Sequence, residues 1–525
     1  MQRCAGLLLH PTSLPSRFGV GDLGAAAEAF LDWAQAAGQS LWQMLPLGPP
    51  GGMNSPYNAL SAFAGNPLLI SPEWLVEDGL LEADDLRTES SEPLRNPSES
   101  DASRVDFAAA GAWKAQRLRT AFEAFRRGGH GEGLGEELES FRNAPEQAAW
   151  LEDWCLFAAL HGKFEGRAWW LWPEDLALWS PIAVEGAREQ EREEVDFHRF
   201  VQFLFSRQWQ RLRYSAADRG IRLLGDLPIY VSGHSADVWA NRELFELAPD
   251  GSPAAMAGVP PDDFSEDGQL WGNPLYRWES MAEDGYRWWC DRLAANLCQT
   301  DLVRLDHFRG FAAYWRVPAG APTAREGEWV NGPGRALFDA FQQRFGELPL
   351  VAEDLGVITE EVRQLRRDCQ LPGMRVLQFG FDSPESEHAP HRVGADALVY
   401  TGTHDNDTSV GWFSSLNPEL KERVLEAVGG GEGASQGGNS QDSLGGFVWG
   451  LIQTAYVTRA VAAMVPVQDV LGLGSEGRMN VPGTASGNWE WRMGASALTP
   501  AAAGRLRELA DRTDRLPIVN RTVET

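Results

Sequence analysis

Val303-Arg304-Leu305-Asp306-His307-Phe308 puts an acid just after an apolar, strand-like run, and the same construction recurs downstream. Val351-Ala352-Glu353-Asp354 and Thr403-His404-Asp405-Asn406-Asp407 also place acids just past apolar segments. Acids that converge from separate strand ends are what the C-terminal face of an α/β barrel produces. Runs of strand length occur at 7–10, 40–48, 221–231, 300–308, 348–356, 373–381, 397–405 and 465–474, eight in all. Several are continuous apolar stretches, as parallel strands covered on both faces require. Helical patterns fall between them. Gly24 to Ala37 aligns Phe30, Trp33 and Ala37, Gly334 to Phe345 aligns Leu337, Phe338, Phe341 and Phe345, and Thr359 to Cys369 aligns Val362, Leu365 and Cys369. Asn417-Pro418 supplies an N-cap and a first-turn proline for a helix through Val428. Alternating strands and helices predict an α/β fold, a (β/α)8 TIM barrel spanning 1–525 as a single catalytic unit.

The spacing between runs predicts insertions. Residues 72–220 exceed any ordinary crossover and are rich in helix formers, which predicts a helical insertion subdomain. Pro249 to Pro274 reads as irregular, within a loop subdomain at 245–290 over the cleft, and the Gly-rich 429–446 reads as a flexible loop.

Composition narrows the function class. The chain has 525 residues, 43% hydrophobic and 23% charged, enough for a large core. Its 74 acidic and 46 basic residues give a net charge of -28, which repels phosphate backbones and anionic lipid, so neither nucleic acid nor membrane is an expected partner. Lys114, Lys163 and Lys421 are its three lysines, and Gly162-Lys163 is followed by Phe164, so no phosphate-binding loop of the Walker type is present. The cysteines Cys4, Cys155, Cys290, Cys298 and Cys369 are odd in number and scattered, which indicates free thiols and a cytoplasmic location. Neither His404-Asp405-Asn406-Asp407 nor Asp262-Asp263 has calcium-loop spacing, and no metal or other cofactor is expected. A monomer or weak homo-oligomer is expected.

The acids suit glycoside chemistry. Cleavage passes through an oxocarbenium-like state, so one carboxyl protonates the leaving oxygen while another carboxylate meets the anomeric carbon. Arg304, two residues before Asp306 on the same strand face, is expected to hold Asp306 ionised as a nucleophile. Glu353 follows an apolar run, which raises its pKa and suits a general acid and base. Asp405 and His404 are positioned to grip sugar hydroxyls, and Asp226, after Leu223-Leu224-Gly225, to support Arg304 or the sugar. Of the 22 tryptophans most should pack, including Trp169, Trp170, Trp172, Trp179, Trp288 and Trp289. Tyr57 and Trp271 lie in loop-like contexts and are the better sugar platforms.

These motifs resemble the 4-alpha-glucanotransferases of glycoside hydrolase family 77, the amylomaltases or disproportionating enzymes of the alpha-amylase clan. The likeness is carried by His10 to Ser16, Asn54 to Tyr57, Ser61 to Pro67, Gly225 to Val231, Gly258 to Asp262, Gln269 to Pro274, Arg304 to Gly310, Ala352 to Gly356, Gly402 to Thr408 and Arg478 to Thr484. The resemblance implies a barrel with insertions and no C-terminal β-sandwich, acting on alpha-1,4-glucans and maltooligosaccharides. It implies Asp306 as nucleophile, Glu353 as acid and base, and Asp405 as the carboxylate that stabilises the transition state. Tyr57, Ser55, Asp226, Trp271, Arg304, His404 and Asn480 would form the binding shell. The chain departs from the family pattern at Asp263-Phe264, where Tyr-Phe is common, and at Gly51-Gly52-Met53, where some relatives carry an aromatic for a secondary glucan contact.

Overall fold

The computed structural model describes residues 2–87, 104–128, 133–261, 265–429 and 441–517. Twelve strands are present among them: β1 Cys4–Leu8, β2 Leu41–Gln43, β3 Arg222–Pro228, β4 Ala255–Val259, β5 Gln269–Pro274, β6 Leu302–Asp306, β7 Ala313–Pro318, β8 Glu328–Asn331, β9 Leu350–Ala352, β10 Gly373–Val376, β11 Ala397–Tyr400 and β12 Ala462–Pro466. Eight of them pair in parallel in the order β10-β11-β12-β1-β2-β3-β6-β9. The Ala352 N–H donates to the Pro372 carbonyl at 2.8 Å, which joins β9 to the start of β10 and closes the ring. This is the (β/α)8 barrel that the sequence predicts.

One face of every barrel strand is turned inward. Cys4, Leu41, Leu224, Leu302, Val351, Met374, Leu398 and Ala462, with Val376, Tyr400 and Met464, fill the interior as one cluster. Their neighbours in sequence, such as Leu7, Leu223 and Val465, pack instead against surrounding helices. Interior space is tight at β1, where a Cβ on Gly6 would lie 2.5 Å from Leu41 Cβ and 2.8 Å from Met464 Sδ. The helices expected at 24–37, 334–345, 359–369 and 418–428 span Ala25–Ala36, Arg335–Phe345, Glu360–Asp368 and Pro418–Ala427, and Asn417 caps the last by accepting from the Leu420 N–H.

Between β2 and β3 lie several helices, the longest Phe107–Arg126 and Arg192–Asp218. Lys114 on the first of these is buried; its ammonium donates to Asp22 Oδ2 at 3.1 Å and to the carbonyls of Leu68 and Ile70 at 2.6 and 2.9 Å. Two glutamines on the second clamp the opposing backbone: Gln202 exchanges hydrogen bonds with Gly65, and Gln208 with Ser71.

Three expectations differ from the structure. The stretch 249–274 is not irregular, because β4 and β5 form an antiparallel pair within it and join β7 and β8 in a second sheet of order β5-β4-β7-β8. Its signal was weak because β5 is largely exposed and lacks an apolar run. The eighth barrel strand occupies 462–466 rather than 465–474, since Val467–Val470 is helical; an unbroken apolar run carries no period to mark that handover. In the Gly-rich segment 429–446, residues 430–440 lie outside those described, while Gln441–Val457 is a helix. Buried Phe447, Val448, Leu451, Ile452 and Ala455 hold that helix on the barrel, so it extends back across Gly445 and Gly446. After β12 the described chain has no further strand, and it ends near Arg515, which is buried and donates to the carbonyls of Cys4, Tyr456, Thr458 and Ala460.

Candidate active site

Side-chain alternation along the strands selects what enters the cleft. Leu302 faces the barrel interior, so Arg304 and Asp306 on the same strand do too. Leu224 does the same for Asp226 on β3, and Val351 for Glu353 just beyond β9. Arg304 is the hub. Its Nη1 donates to both Asp226 oxygens at 2.7 Å, and its Nη2 lies 2.8 Å from Asp306 Oδ1. The fork of a guanidinium lets one buried cation orient two carboxylates at once.

Glu353 is held differently. Its Oε2 accepts from the His307 N–H at 2.7 Å and its Oε1 from the Leu355 N–H at 2.9 Å. His307 has φ 52°, and this left-handed turn directly after Asp306 aims its N–H at the neighbouring strand end. Burial raises the Glu353 carboxyl to about 7; Arg304 opposes that rise and the negative Asp306 adds to it. The Phe308 N–H also donates to the Glu353 carbonyl at 3.1 Å, so the loops after β6 and β9 are locked together.

Asp405, on the loop after β11, completes the group of acids. Its Oδ1 accepts from Asn480 Nδ2 at 2.6 Å, His404 Nε2 lies 3.4 Å from its Oδ2, and its carbonyl accepts from Arg478 Nη2 at 2.8 Å. Tyr57 ties the 54–58 loop to this assembly. Its hydroxyl donates to Asp226 Oδ2 at 2.8 Å, and its ring stacks on His404 with centroids 5.2 Å apart and planes at 16°. Burial, with Asp226 next, drives the Tyr57 phenol well above its ordinary range, so it stays a neutral donor. Ser55 faces its own turn, its Oγ accepting from the Tyr57 N–H at 3.3 Å. Trp271 on β5 is 37% exposed and meets the His307 ring edge-on at 4.9 Å.

Of the expected site residues, contacts join Asp226, Arg304, Asp306 and Tyr57, and join Tyr57, His404, Asp405 and Asn480; Glu353 and Trp271 connect to them through His307, and Ser55 shapes the Tyr57 loop. Of the six tryptophans expected to pack, Trp169, Trp172, Trp288 and Trp289 are buried, and Trp170 and Trp179 are half-buried against the same core. Asp263-Phe264 lie outside the described residues. At Gly52 a Cβ would meet nothing within 4 Å, and Met53 beside it is 60% exposed, so the departure there leaves an open surface.

Four residues beyond those expected support the site. His307 supplies the N–H to Glu353, Arg478 braces Asp405, and Trp489 lies against both Tyr57 and His404 at 5.7 and 5.9 Å. Asp469 is fully buried and staples both ends of the Asp405 loop: Thr401 Oγ1 donates to its Oδ2 at 2.6 Å, Ser409 Oγ to the same oxygen at 2.7 Å, and the Ser409 N–H to its Oδ1 at 2.7 Å. It sits in the run read as strand, where nothing local marks it out. Among the described residues no group of three or more His, Cys, Asp or Glu is placed to hold a metal, and no helix is long and apolar enough to cross a membrane.

Known proteins resemble this chain over nearly its whole length. The family profile described as 4-alpha-glucanotransferase matches residues 9–497. A 4-alpha-glucanotransferase of Synechocystis is 47% identical over 509 residues, 96% of each chain, and that of Thermus thermophilus is 46% identical over 98% of this chain and 100% of its own. The chloroplastic/amyloplastic enzyme of Solanum tuberosum is 45% identical over 98% of this chain and 87% of its own. Among solved structures, the amylomaltase from Streptococcus agalactiae in complex with acarbose superposes with a TM-score of 0.89 at 34% identity, covering 98% of this chain and 100% of that one. A barrel whose acids converge around one buried arginine, matched over nearly its whole length by these relatives, belongs to the 4-alpha-glucanotransferases of glycoside hydrolase family 77.

Proposed function

We propose that the 4-alpha-glucanotransferase activity of this chain runs by retaining double displacement, with Asp306 as nucleophile, Glu353 as acid and base, and Asp405 as the carboxylate that positions substrate. Asp306 attacks the anomeric carbon of an alpha-1,4-glucan while Glu353 gives its proton to the departing glycosidic oxygen. The covalent glycosyl-enzyme is then opened by the 4-hydroxyl of an acceptor sugar, whose proton passes to Glu353, and the configuration is retained. The observation that carries this reading is the division of the two groups. Asp306 is ion-paired to Arg304, whereas Glu353 is half-buried with its carboxyl raised to about 7, and therefore still holds a proton in a large share of molecules near neutral pH.

Asp226, Tyr57, Arg304, His404, Asn480 and Trp271 form the binding shell in this scheme, and Ser55 shapes the Tyr57 loop. The 245–290 segment acts as a subdomain over the cleft, with the 51–58 loop opposite. Trp271 against His307 and Tyr57 against Asp226 support closure from two sides, which keeps water from the intermediate. Substrates are alpha-1,4-glucans and maltooligosaccharides. The protein works in the cytoplasm, which its five unpaired cysteines support, as a monomer or weak homo-oligomer, and light scattering checks the mass.

Incubation with maltotriose tests the reaction. A ladder of longer maltooligosaccharides plus glucose is expected, whereas glucose and maltose without longer products would mean hydrolysis. Asp306→Asn should lower transfer by about 10³-fold or more, and an unchanged rate would remove Asp306 from the chemistry.

A further inference from the structure

On the rim beside the acids the structure carries an aromatic surface that the catalytic scheme does not use. Trp329, on the edge strand β8, is 43% exposed. It is held in place from two sides. The Arg309 guanidinium lies over its ring at 3.9 Å, and Trp315 meets it edge-on at 5.1 Å, itself fixed by donating Nε1–H to the Ala324 carbonyl at 2.8 Å. Arg309 in turn donates Nη1–H to the Val357 carbonyl at 2.6 Å, and Val357 is 70% exposed. The indole N–H of Trp329 takes no partner among the described residues.

The linkage fixes where this surface stands relative to the chemistry. Arg309 follows Asp306 by three positions and Val357 follows Glu353 by four, and the two loops are locked by the Phe308 N–H to the Glu353 carbonyl. A general acid sits on the leaving-group side of the scissile bond, which becomes the acceptor side in the second step. A rigid, partly exposed indole backed by a cation, with a free N–H, matches the apolar face and hydroxyl rim of a pyranose ring.

We propose that Trp329, with Val357 linked to it through Arg309, is a platform for an outer glucosyl unit of the acceptor or leaving glucan, so that it sets the preference for longer acceptors. The proposal rests on the assignment of Glu353 as acid and base. Glucose as acceptor occupies only the position next to the broken bond and does not reach the platform. Maltotriose and maltopentaose extend toward it.

The test uses the full chain with saturating amylose as donor and glucose, maltotriose or maltopentaose as acceptor. Trp329→Ala should raise KM for maltopentaose by about 5- to 10-fold, with KM for glucose moving less than twofold. Trp329→Phe keeps a flat ring and should recover most of the loss. Val357→Asp, which leaves the tryptophan in place, should weaken long acceptors in the same selective way and serves if Trp329→Ala folds poorly. Equal losses for glucose and maltopentaose, or no change in the length profile of any variant, would overturn the platform. Failure of the underlying assignment reads out separately, as transfer from maltotriose that survives Glu353→Gln undiminished.

Discussion

Replacing Glu353 by Gln exposes the energy held in that carboxyl. An ordinary glutamate titrates at 4.5, and burial lifts this one to about 7 in the folded protein. A carboxyl whose folded pKa lies above its unfolded value costs nothing where both states are protonated. It becomes a growing penalty as pH rises from about 4.5 to about 7 and a constant one above that. At 1.36 kcal/mol per pH unit the full penalty is about 3 kcal/mol, and solvent reaching this half-buried group lowers it to about 2–3 kcal/mol. Gln carries no such penalty. It does forfeit one hydrogen bond, because its Nε2 cannot accept from the His307 or Leu355 N–H, at about 1–3 kcal/mol. That loss is the same at every pH, so the informative quantity is the change with pH. Denaturant unfolding of both proteins at pH 5 and pH 8 should show the Gln variant gaining about 2 kcal/mol on the wild type between those conditions. A gain under about 0.5 kcal/mol, or one of opposite sign, would show that Glu353 is not held protonated by its surroundings.

Three further outcomes follow from the same geometry. Donor kcat/KM should fall about tenfold per pH unit above roughly pH 7, as Glu353 loses the proton it must give, and a steady-state pH profile with maltotriose checks this. Arg304→Met leaves Asp226 and Asp306 without their shared cation and should cost about 3–5 kcal/mol of stability together with activity, read by urea unfolding. Asp469→Ala frees both ends of the Asp405 loop; about 1–3 kcal/mol of stability should be lost, and kcat should drop more than KM rises. Asp469→Asn, which can still bond Ser409, should restore part of kcat.

Most of the proposed site could be placed from the linear chain because strand geometry is short-ranged. Once Leu302, Leu224 and Val351 are recognised as interior residues, a period of two carries Arg304, Asp306, Asp226 and Glu353 to the same cleft. The raised Glu353 followed from its apolar run, and Asn417-Pro418 announced its own helix. Boundaries were less legible where apolar runs continue through a change of element, as at 462–470.

The order of eight strands, the acids at their ends and the sign of the charge were thus properties of the sequence by itself, since each depends on local pattern or on sums over composition. Only the tertiary structure decided that Asp469 staples the Asp405 loop, that the His307 N–H turns onto Glu353, and that Arg309 links Trp329 to Val357. Those contacts join residues on different elements, 60 apart in the chain for Asp469 and Ser409 and 46 apart for His307 and Glu353. No local period encodes such a meeting; it exists only once the barrel closes and brings neighbouring strand ends to one face.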